Sequence, residues 1–269
     1  MKFNKLFSAF AASALLATAS LVPAQAAGSV STDGSTSMEY LIGALGESFT
    51  QEHSDIKFTY SPTGSGAGIA AAMEGRTDIG LSSRALKSDE SKSLNGDVVA
   101  LDGIVVVVNP KNPVQNLTLE QIKDLYTGKI TSWKQLGGED NPVVLIGREA
   151  GSGTRDGFES VTSTKNACKY RQELTSTGDV ITTVSKNVNA VGYASLAAVS
   201  DKIKPLTVDG VEATEETIKN GSYRLQRPFL LVTKKDKEQS EAVKMFLNYA
   251  LSSDASEIIK MTGVVPANN

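Results

Sequence analysis

The chain has 269 residues, of which 40% are hydrophobic and 21% are charged. This composition is typical of a globular protein with a sizeable core and excludes wholesale disorder. With 27 Lys and Arg against 30 Asp and Glu, the formal net charge is −3, which argues against a general nucleic-acid-binding surface. The single cysteine, Cys168, and the single histidine, His53, leave no intramolecular disulfide, no cysteine metal cluster and little for histidine-based catalysis.

The first segment, residues 1–26, has the layout of a cleavable signal peptide. Two lysines begin it, an apolar stretch follows as far as Val22, and residues 24–26 give an A-x-A cleavage pattern. A membrane anchor is the alternative, but the apolar stretch is short and interrupted by serines, whereas a bilayer span needs ~20 apolar residues. We therefore expect a periplasmic or secreted protein, without a lipid anchor because no cysteine lies near the cleavage site.

Along the rest of the chain, short β-rich runs alternate with helical patterns, which predicts an α/β protein with mostly parallel sheets. The helical pattern of residues 118–126 begins with Thr118 and Gln121, which fit a capping box, and Gly128 follows as a stop. A second helical pattern covers residues 237–251. The predicted strands are residues 56–60, 78–83, 98–109, 143–148, 191–196 and 228–234.

Two apolar segments that end in Pro-rich or Lys-rich turns are candidates for links between two lobes. They are residues 103–113 and 227–235. Two such crossings would build the first lobe from both ends of the chain and the second lobe from its middle. We therefore expect a first lobe of residues 27–105 plus 230–269 and a second lobe of residues 106–229.

Three Gly/Ser/Thr clusters, each before a predicted helix, carry the strongest indication of function. They are residues 33–38 (DGSTSM), 63–68 (TGSGAG) and 148–154 (REAGSGT), with a weaker fourth at 82–84. The first turn of a helix presents unpaired N–H groups and about half a positive charge. Because glycine lets an anion approach the backbone and Ser or Thr adds a hydroxyl donor, several such turns would cage an oxyanion even in a net negative chain.

Each cluster alone also fits an ordinary helix cap, because Ser and Thr are preferred at that position. Arg148 adds a guanidinium fork for two oxygens. Phosphate-cradling P-loop and dinucleotide fingerprints are not met, and Ser35, Ser65 and Ser152 do not lie in a G-x-S-x-G motif. A Ser-His-Asp hydrolase would depend on His53 alone. We therefore expect a binding protein that is not an enzyme, with no cofactor and no metal.

On these residues the chain resembles the substrate-binding proteins of high-affinity phosphate ABC transporters, the PstS type. The R-x-x-G-S-G-T pattern of residues 148–154 is the most specific element, and residues 127–138, 191–196 and 227–235 are also similar to family segments. The resemblance covers essentially all of the mature chain. It implies a type II periplasmic-binding-protein fold with mixed, mostly parallel sheets, two hinge strands and two lobes that close on phosphate. It also implies a monomer that delivers inorganic phosphate to a membrane permease.

The resemblance implies a set of phosphate-binding residues drawn from both lobes. Ser83 belongs to it by position only, because the best-known members have an aspartate there, 18 residues after the second-turn serine. A carboxylate accepts the P–OH proton of phosphate and repels sulfate, whereas a serine hydroxyl can accept or donate. The residues carried over are Thr36, Ser37, Ser65, Ser83, Arg148, Ser152, Gly153 and Thr154.

The departure at Ser83 leaves the source of selectivity open. Asp33 and Glu149 are nearby in the sequence and are candidates for the missing acceptor. Arg84 is either a second ligand or half of an ion pair that stabilises a lobe, and we favour the ion pair. Three alternatives to a phosphate receptor stay open: a receptor for sulfate or molybdate, an extracellular phosphate-ester hydrolase, and a surface adhesion or signalling protein.

Overall fold

The computed structural model of the protein describes residues 28–267, so the expected signal peptide lies outside the described residues. No helix between these two residues is long and apolar enough to cross a membrane. The strands are β1 (Gly28–Gly34), β2 (Ile56–Ser61), β3 (Ile79–Ser82), β4 (Leu94–Val108), β5 (Asn116–Leu117), β6 (Val144–Arg148), β7 (Gln172–Leu174), β8 (Ala190–Ser195), β9 (Lys204–Pro205), β10 (Thr207–Val208), β11 (Gln226–Lys234) and β12 (Val265–Pro266). The α-helices are α1 (Glu39–Glu52), α2 (Ser65–Glu74), α3 (Glu90–Ser93), α4 (Leu119–Tyr126), α5 (Gly153–Val161), α6 (Thr177–Lys186), α7 (Glu215–Lys219), α8 (Glu241–Ala250) and α9 (Ser256–Met261).

A ten-stranded mixed sheet forms the frame, in the order β2-β1-β3-β11-β4-β8-β6-β7 with β9 and β12 on β4. On one side β1 pairs in parallel with β2 and β3, and on the other β6 pairs in parallel with β7 and β8. Between these groups β4 and β11 run antiparallel to each other and to their outer neighbours. The predicted α/β class with mixed sheets is confirmed.

Each of the six predicted strands corresponds to an observed strand, with bounds that differ by at most four residues. The capping box of α4 is present, since Thr118 Oγ1 accepts from the Gln121 N–H and Gln121 Oε1 accepts from the Thr118 N–H. The helix predicted at 237–251 begins only at Glu241, because Ser240 caps it by accepting from the Val243 N–H. Strand β1 was not predicted, since its only large apolar residue is Val30.

Strand β4 contributes residues to two hydrophobic clusters, and the change from one to the other lies next to the start of β11. Val99 of β4 and Phe229 of β11 pack with α1, α8 and the β1–β3 strands. Farther along, Ile104 of β4 packs with Leu225, just before β11, and with the residues of α4 and α5. The part of β4 that pairs with β11 therefore contributes to the first cluster, and the part beyond it, which pairs with β8, contributes to the second.

A buried ion pair lies at this change of cluster, where Arg227 and Asp102 are register partners. Arg227 Nε and Nη2 donate to Asp102 Oδ2 at 2.9 and 2.8 Å, and the Ser195 hydroxyl donates to Asp102 Oδ1 at 2.7 Å. The side chains of Arg227 and Asp102 are 2% and 0% exposed. Because a buried charge without a partner is strongly unfavourable, these contacts hold β4, β8 and β11 in one arrangement.

We expect Asp102→Ala to lower the free energy of unfolding by ~3–5 kcal/mol, because it leaves the Arg227 guanidinium buried without its partner. Asp140→Ala is the matched control, since the Asp140–Lys134 pair is exposed and pairs of that kind contribute little. Urea unfolding of both variants measures the difference. Equal losses in the two variants would contradict a structural role for the buried pair.

Candidate functional site

Helix N-termini from both sides of the molecule meet at one place in the fold. Strands β1 and β3 end there on one side, and β6 and β7 end there on the other. The ends of parallel strands at a sheet crevice are the usual position of ligand sites in α/β proteins. The helices that begin at this place are a 3-10 turn at Thr36–Met38 that continues into α1, then α2, α5 and α6.

A first group of hydroxyls joins the two sides. Ser37 Oγ lies 2.8 Å from Thr154 Oγ1 and 3.0 Å from Thr177 Oγ1. Thr36 Oγ1 lies 3.3 Å from Thr177 Oγ1 and accepts from the Thr177 N–H at 3.2 Å. All four residues are buried. Residues 36–37 and residues 154 and 177 are therefore in direct contact across the cleft.

The guanidinium of Arg148 lies against this group and is 98% buried, with 2% exposed. Its Nη1 donates to Thr177 Oγ1 and its Nη2 to Thr36 Oγ1, both at 3.2 Å. The other acceptors are the carbonyls of Thr175, at 2.8 Å from Nη2, and Leu174, at 3.1 Å from Nε. None of the ion pairs within residues 28–267 includes Arg148.

Burial without a carboxylate partner has an electrostatic consequence. Desolvation lowers the pKa of Arg148 to about 10, which still leaves the side chain cationic at neutral pH. An anion placed beside a buried cation stabilises the charged form of that cation and raises its pKa again, so binding of an anion here is favourable. The site therefore holds a positive charge that only neutral oxygens contact.

Side chains behind the site fix the backbone of Arg148 in place. Its N–H donates to Tyr193 OH at 3.2 Å, and its carbonyl accepts from Arg155 Nη1 at 2.9 Å. Arg155 is held in turn by Glu159, whose Oε1 accepts from Arg155 Nε at 2.8 Å and from Tyr170 OH at 3.0 Å. This network, which the sequence did not indicate, positions the guanidinium.

A second group, Ser65, Ser83 and Gly153, packs beside the first. The Ser83 N–H donates to Ser65 Oγ at 3.1 Å, and the two hydroxyl oxygens are 3.2 Å apart. A Cβ on Gly153 would lie 2.4 Å from Ser65 Oγ and 2.6 Å from Ser83 Oγ. A hydrogen bond from the Gly66 N–H to the Gly151 carbonyl, at 2.9 Å, also crosses between α2 and the loop before α5. Glycine at 153 is thus required for this approach.

The residues predicted for the site are brought together, and one of them has a different contact. Ser152 uses its hydroxyl as the cap of α5, accepting from the Arg155 N–H at 3.3 Å. The other seven form the two groups just described. All eight predicted site residues are buried, namely Thr36, Ser37, Ser65, Ser83, Arg148, Ser152, Gly153 and Thr154.

Neither candidate for the missing acceptor contacts these hydroxyls through a hydrogen bond in the described part of the chain. Asp33 Oδ1 accepts instead from the Thr63 hydroxyl. Glu149 is half-buried and acts on Arg148 only through its charge, which raises the pKa of the guanidinium. Within residues 28–267 the hydrogen-bond partner of the Ser83 hydroxyl is therefore the hydroxyl of Ser65 and not a carboxylate.

Arg84 is engaged in ion pairs rather than in the hydroxyl groups. Its Nη1 and Nη2 donate to the two carboxylate oxygens of Glu90, both at 2.8 Å. Its Nε lies 3.0 Å from Asp156 Oδ2, in the first turn of α5. One arginine thus connects the loop after β3 with a helix from the other side of the cleft. This agrees with the interpretation as an ion pair.

Thr177 was not identified from the sequence as a candidate site residue. It is 3% exposed and contacts Thr36, Ser37 and Arg148. A signal was present: residues 175–178 (TSTG) form another Ser/Thr/Gly turn before a helix, and Ser176 and Asp179 have the spacing of a cap.

Comparison with known proteins places the chain in a family. The profile of the PBP superfamily domain matches residues 21–254. The phosphate-binding protein PstS of Bacillus subtilis is 30% identical over 252 residues, which cover 91% of this chain and 83% of that protein.

Two solved structures are similar over nearly the whole of their own chains. A Clostridium perfringens protein, assigned as the substrate-binding protein of a phosphate ABC transporter and crystallised with bound phosphate, is 41% identical. It has a TM-score of 0.86, and the match covers 89% of this chain and 100% of that chain. An ABC-type phosphate transport receptor from Vibrio cholerae is 33% identical with a TM-score of 0.73, covering 88% and 99%. The chain therefore belongs to the PBP superfamily and, within it, to the family of the phosphate-binding proteins PstS.

Proposed function

We propose that this protein is an extracytoplasmic receptor that captures inorganic phosphate between two lobes and delivers it to the permease of an ABC transporter. The observation that carries the proposal is the buried Arg148 guanidinium, which contacts hydroxyls and carbonyls from both sides of a cleft but no carboxylate. The relatives named above support the choice of ion, since one of them was crystallised with phosphate.

The phosphate ion would lie where helix N-termini and Arg148 converge. Arg148 supplies a fork for two of its oxygens. Thr36, Ser37 and Thr154 supply hydroxyls that now bond to one another or to Thr177 and would turn to the ion. The first turns of α2 and α5, with Ser65, Gly153 and the cap Ser152, supply backbone N–H groups and the positive ends of helix dipoles.

Capture depends on lobe closure, and we place the hinge in β4 and β11. We retain the division into residues 27–105 plus 230–269 and residues 106–229, which the change of core partners near Leu101 and Pro228 supports to within a few residues. An ion favours the closed form only if it contacts both lobes. Ser37 and Thr154 belong to different lobes in this division, and so do Ser65 and Arg148.

Selectivity rests on Ser83 in place of a carboxylate. Ser65 Oγ accepts from the Ser83 N–H, and if the Ser83 hydroxyl also donates to it, the lone pairs of Ser83 can accept the proton of a P–OH group. The Ser83 hydroxyl can also donate a hydrogen bond to an anion that carries no proton, whereas a carboxylate can only accept one. This observation makes a receptor for sulfate or another tetrahedral oxyanion the second candidate.

Delivery requires export, and we propose that residues 1–26 are a signal peptide and that the mature monomer carries no lipid anchor. Membership of a family of substrate-binding proteins supports a carrier over a phosphate-ester hydrolase or an adhesion protein. In the described residues no cluster of three or more His, Cys, Asp or Glu side chains could hold a metal ion.

Arg148→Ala should weaken phosphate binding at least ~10-fold, because a charge-assisted contact in a buried site is lost. Arg171→Ala is the matched control, since Arg171 is exposed and lies outside the cleft. Isothermal titration with phosphate, after bound ion has been removed by unfolding and refolding, gives both dissociation constants. Unchanged affinity in Arg148→Ala would remove this residue from the site.

Phosphate should raise the thermal unfolding midpoint of the mature protein more than sulfate does at equal ionic strength. A ligand at 100 times its dissociation constant stabilises by ~2.7 kcal/mol, and at ~2–4 °C per kcal/mol for a domain of this size the expected shift is ~5–10 °C. Equal shifts would identify a general oxyanion receptor. The absence of a shift with either anion would contradict the proposed function.

Ser83→Asp should widen the ratio of phosphate to sulfate affinity by ~10-fold, because the carboxylate accepts the P–OH proton and repels the fully ionised sulfate. Ser83→Asn is the matched control, because asparagine has nearly the shape of aspartate without its charge. It should leave the ratio of phosphate to sulfate affinity much closer to that of the wild type. Competition titrations with the two anions measure the ratio. If both variants behave alike, residue 83 does not face the ion.

A further inference from the structure

Thr177 occupies a position between the two sides of the cleft. Its hydroxyl is 3.0 Å from Ser37 Oγ and 3.3 Å from Thr36 Oγ1, and it accepts from Arg148 Nη1 at 3.2 Å. Its backbone N–H donates to Thr36 Oγ1 at 3.2 Å. Three residues of the proposed phosphate site, from both lobes, therefore bond to this one threonine.

Helix capping does not account for the Thr177 hydroxyl, because the preceding residue does that. Ser176 Oγ accepts from the Asp179 N–H at 3.0 Å and donates to Asp179 Oδ2 at 2.7 Å. Helix α5 has the same division of roles: Ser152 caps it, and the Thr154 hydroxyl, in the first turn, faces the cleft. In both helices one hydroxyl caps the helix and the hydroxyl of a later residue faces the cleft.

The contact with Arg148 fixes the direction of the Thr177 hydroxyl. Since the oxygen accepts from the guanidinium through one lone pair, the Thr177 proton is left free to be donated on the side of Ser37 and Thr36. These are the hydroxyls that the ion is expected to engage. The Thr177 hydroxyl can therefore donate a hydrogen bond to a negative oxygen beside the guanidinium.

We propose that Thr177 is a phosphate-binding residue, donating its hydroxyl and the first N–H of α6 to the anion that Arg148 holds. This inference rests on the proposed function. The ten-residue helix α6 adds the positive end of its dipole at the same point. Because the residue acts as a donor, it strengthens the binding of phosphate and sulfate alike and leaves their discrimination to Ser83.

The test compares three substitutions at this position with one elsewhere on the same helix. Thr177→Val keeps the shape and removes the hydroxyl, Thr177→Ala is a smaller second variant, and Thr177→Ser restores the hydroxyl. Thr182→Val is the matched control, because Thr182 is an exposed residue of α6. Phosphate and sulfate dissociation constants are measured by titration, and the midpoint of thermal unfolding without anion shows that each variant is folded.

Thr177→Val and Thr177→Ala should weaken phosphate binding ~10-fold or more, as expected for the loss of a hydrogen bond to a charged group. Thr177→Ser should stay within ~3-fold of the wild type, the size of a small adjustment in one contact. If sulfate also binds to the wild type, the ratio of phosphate to sulfate affinity should be the same in the variants as in the wild type. The inference is overturned if Thr177→Val binds like Thr182→Val, if serine fails to restore affinity, or if the ratio shifts. Absence of phosphate binding by the wild type would instead overturn the proposed function.

Discussion

The buried charge of Arg148 is the constraint on which the rest of the site depends. A guanidinium that leaves water needs acceptors for its N–H groups, and here backbone carbonyls and threonine hydroxyls provide them. Neutral acceptors satisfy hydrogen bonds without cancelling the charge. The protein therefore keeps a buried cation whose direct hydrogen-bond partners in residues 28–267 are all neutral, and the second side of the cleft covers it with further hydroxyls.

Two ion pairs near the cleft are built for different tasks. Asp102 and Arg227 are almost fully buried within the strands that cross between the core clusters, so breaking their contact is costly. The pair of Arg84 and Asp156 across the cleft is less buried, since the two side chains are 9% and 38% exposed. The first pair stabilises the sheet itself, while the second would have to break if the two sides of the cleft separated.

The sequence indicated the parts of the site that are local in the chain. The turn from Arg148 to Thr154 and the capping box of α4 are short patterns whose chemistry depends on neighbouring residues, and both are present. The α/β class followed from the same alternation of local patterns. The binding roles of the site residues, the lobe boundaries and the signal peptide stay predictions.

What the sequence did not indicate depends on distant parts of the chain. Strand β1 consists mostly of small and polar residues and so lacks the apolar pattern of a buried strand, yet it lies between β2 and β3 in the sheet. The cleft contact of Thr177 pairs it with Thr36, 141 positions away. The support of Arg148 by Tyr193 OH pairs residues 45 positions apart. Periodicity and spacing carry no information on such contacts, which the packing of whole elements creates.

The close contact at Gly153 would limit the size of any ligand that binds at the proposed site. With one hydrogen in place of a side chain, Gly153 lets α5 approach Ser65 and Ser83 until even a methyl group would overlap them. Residues 36–37, 65, 83 and 154 are buried around this contact. If phosphate binds beside Arg148 as proposed, the carbon substituent of a phosphate ester would need room that this close contact does not leave. On that proposal, sugar phosphates and nucleotides would hold the two sides of the cleft apart, so closure would select by ligand size as well as retain the ligand.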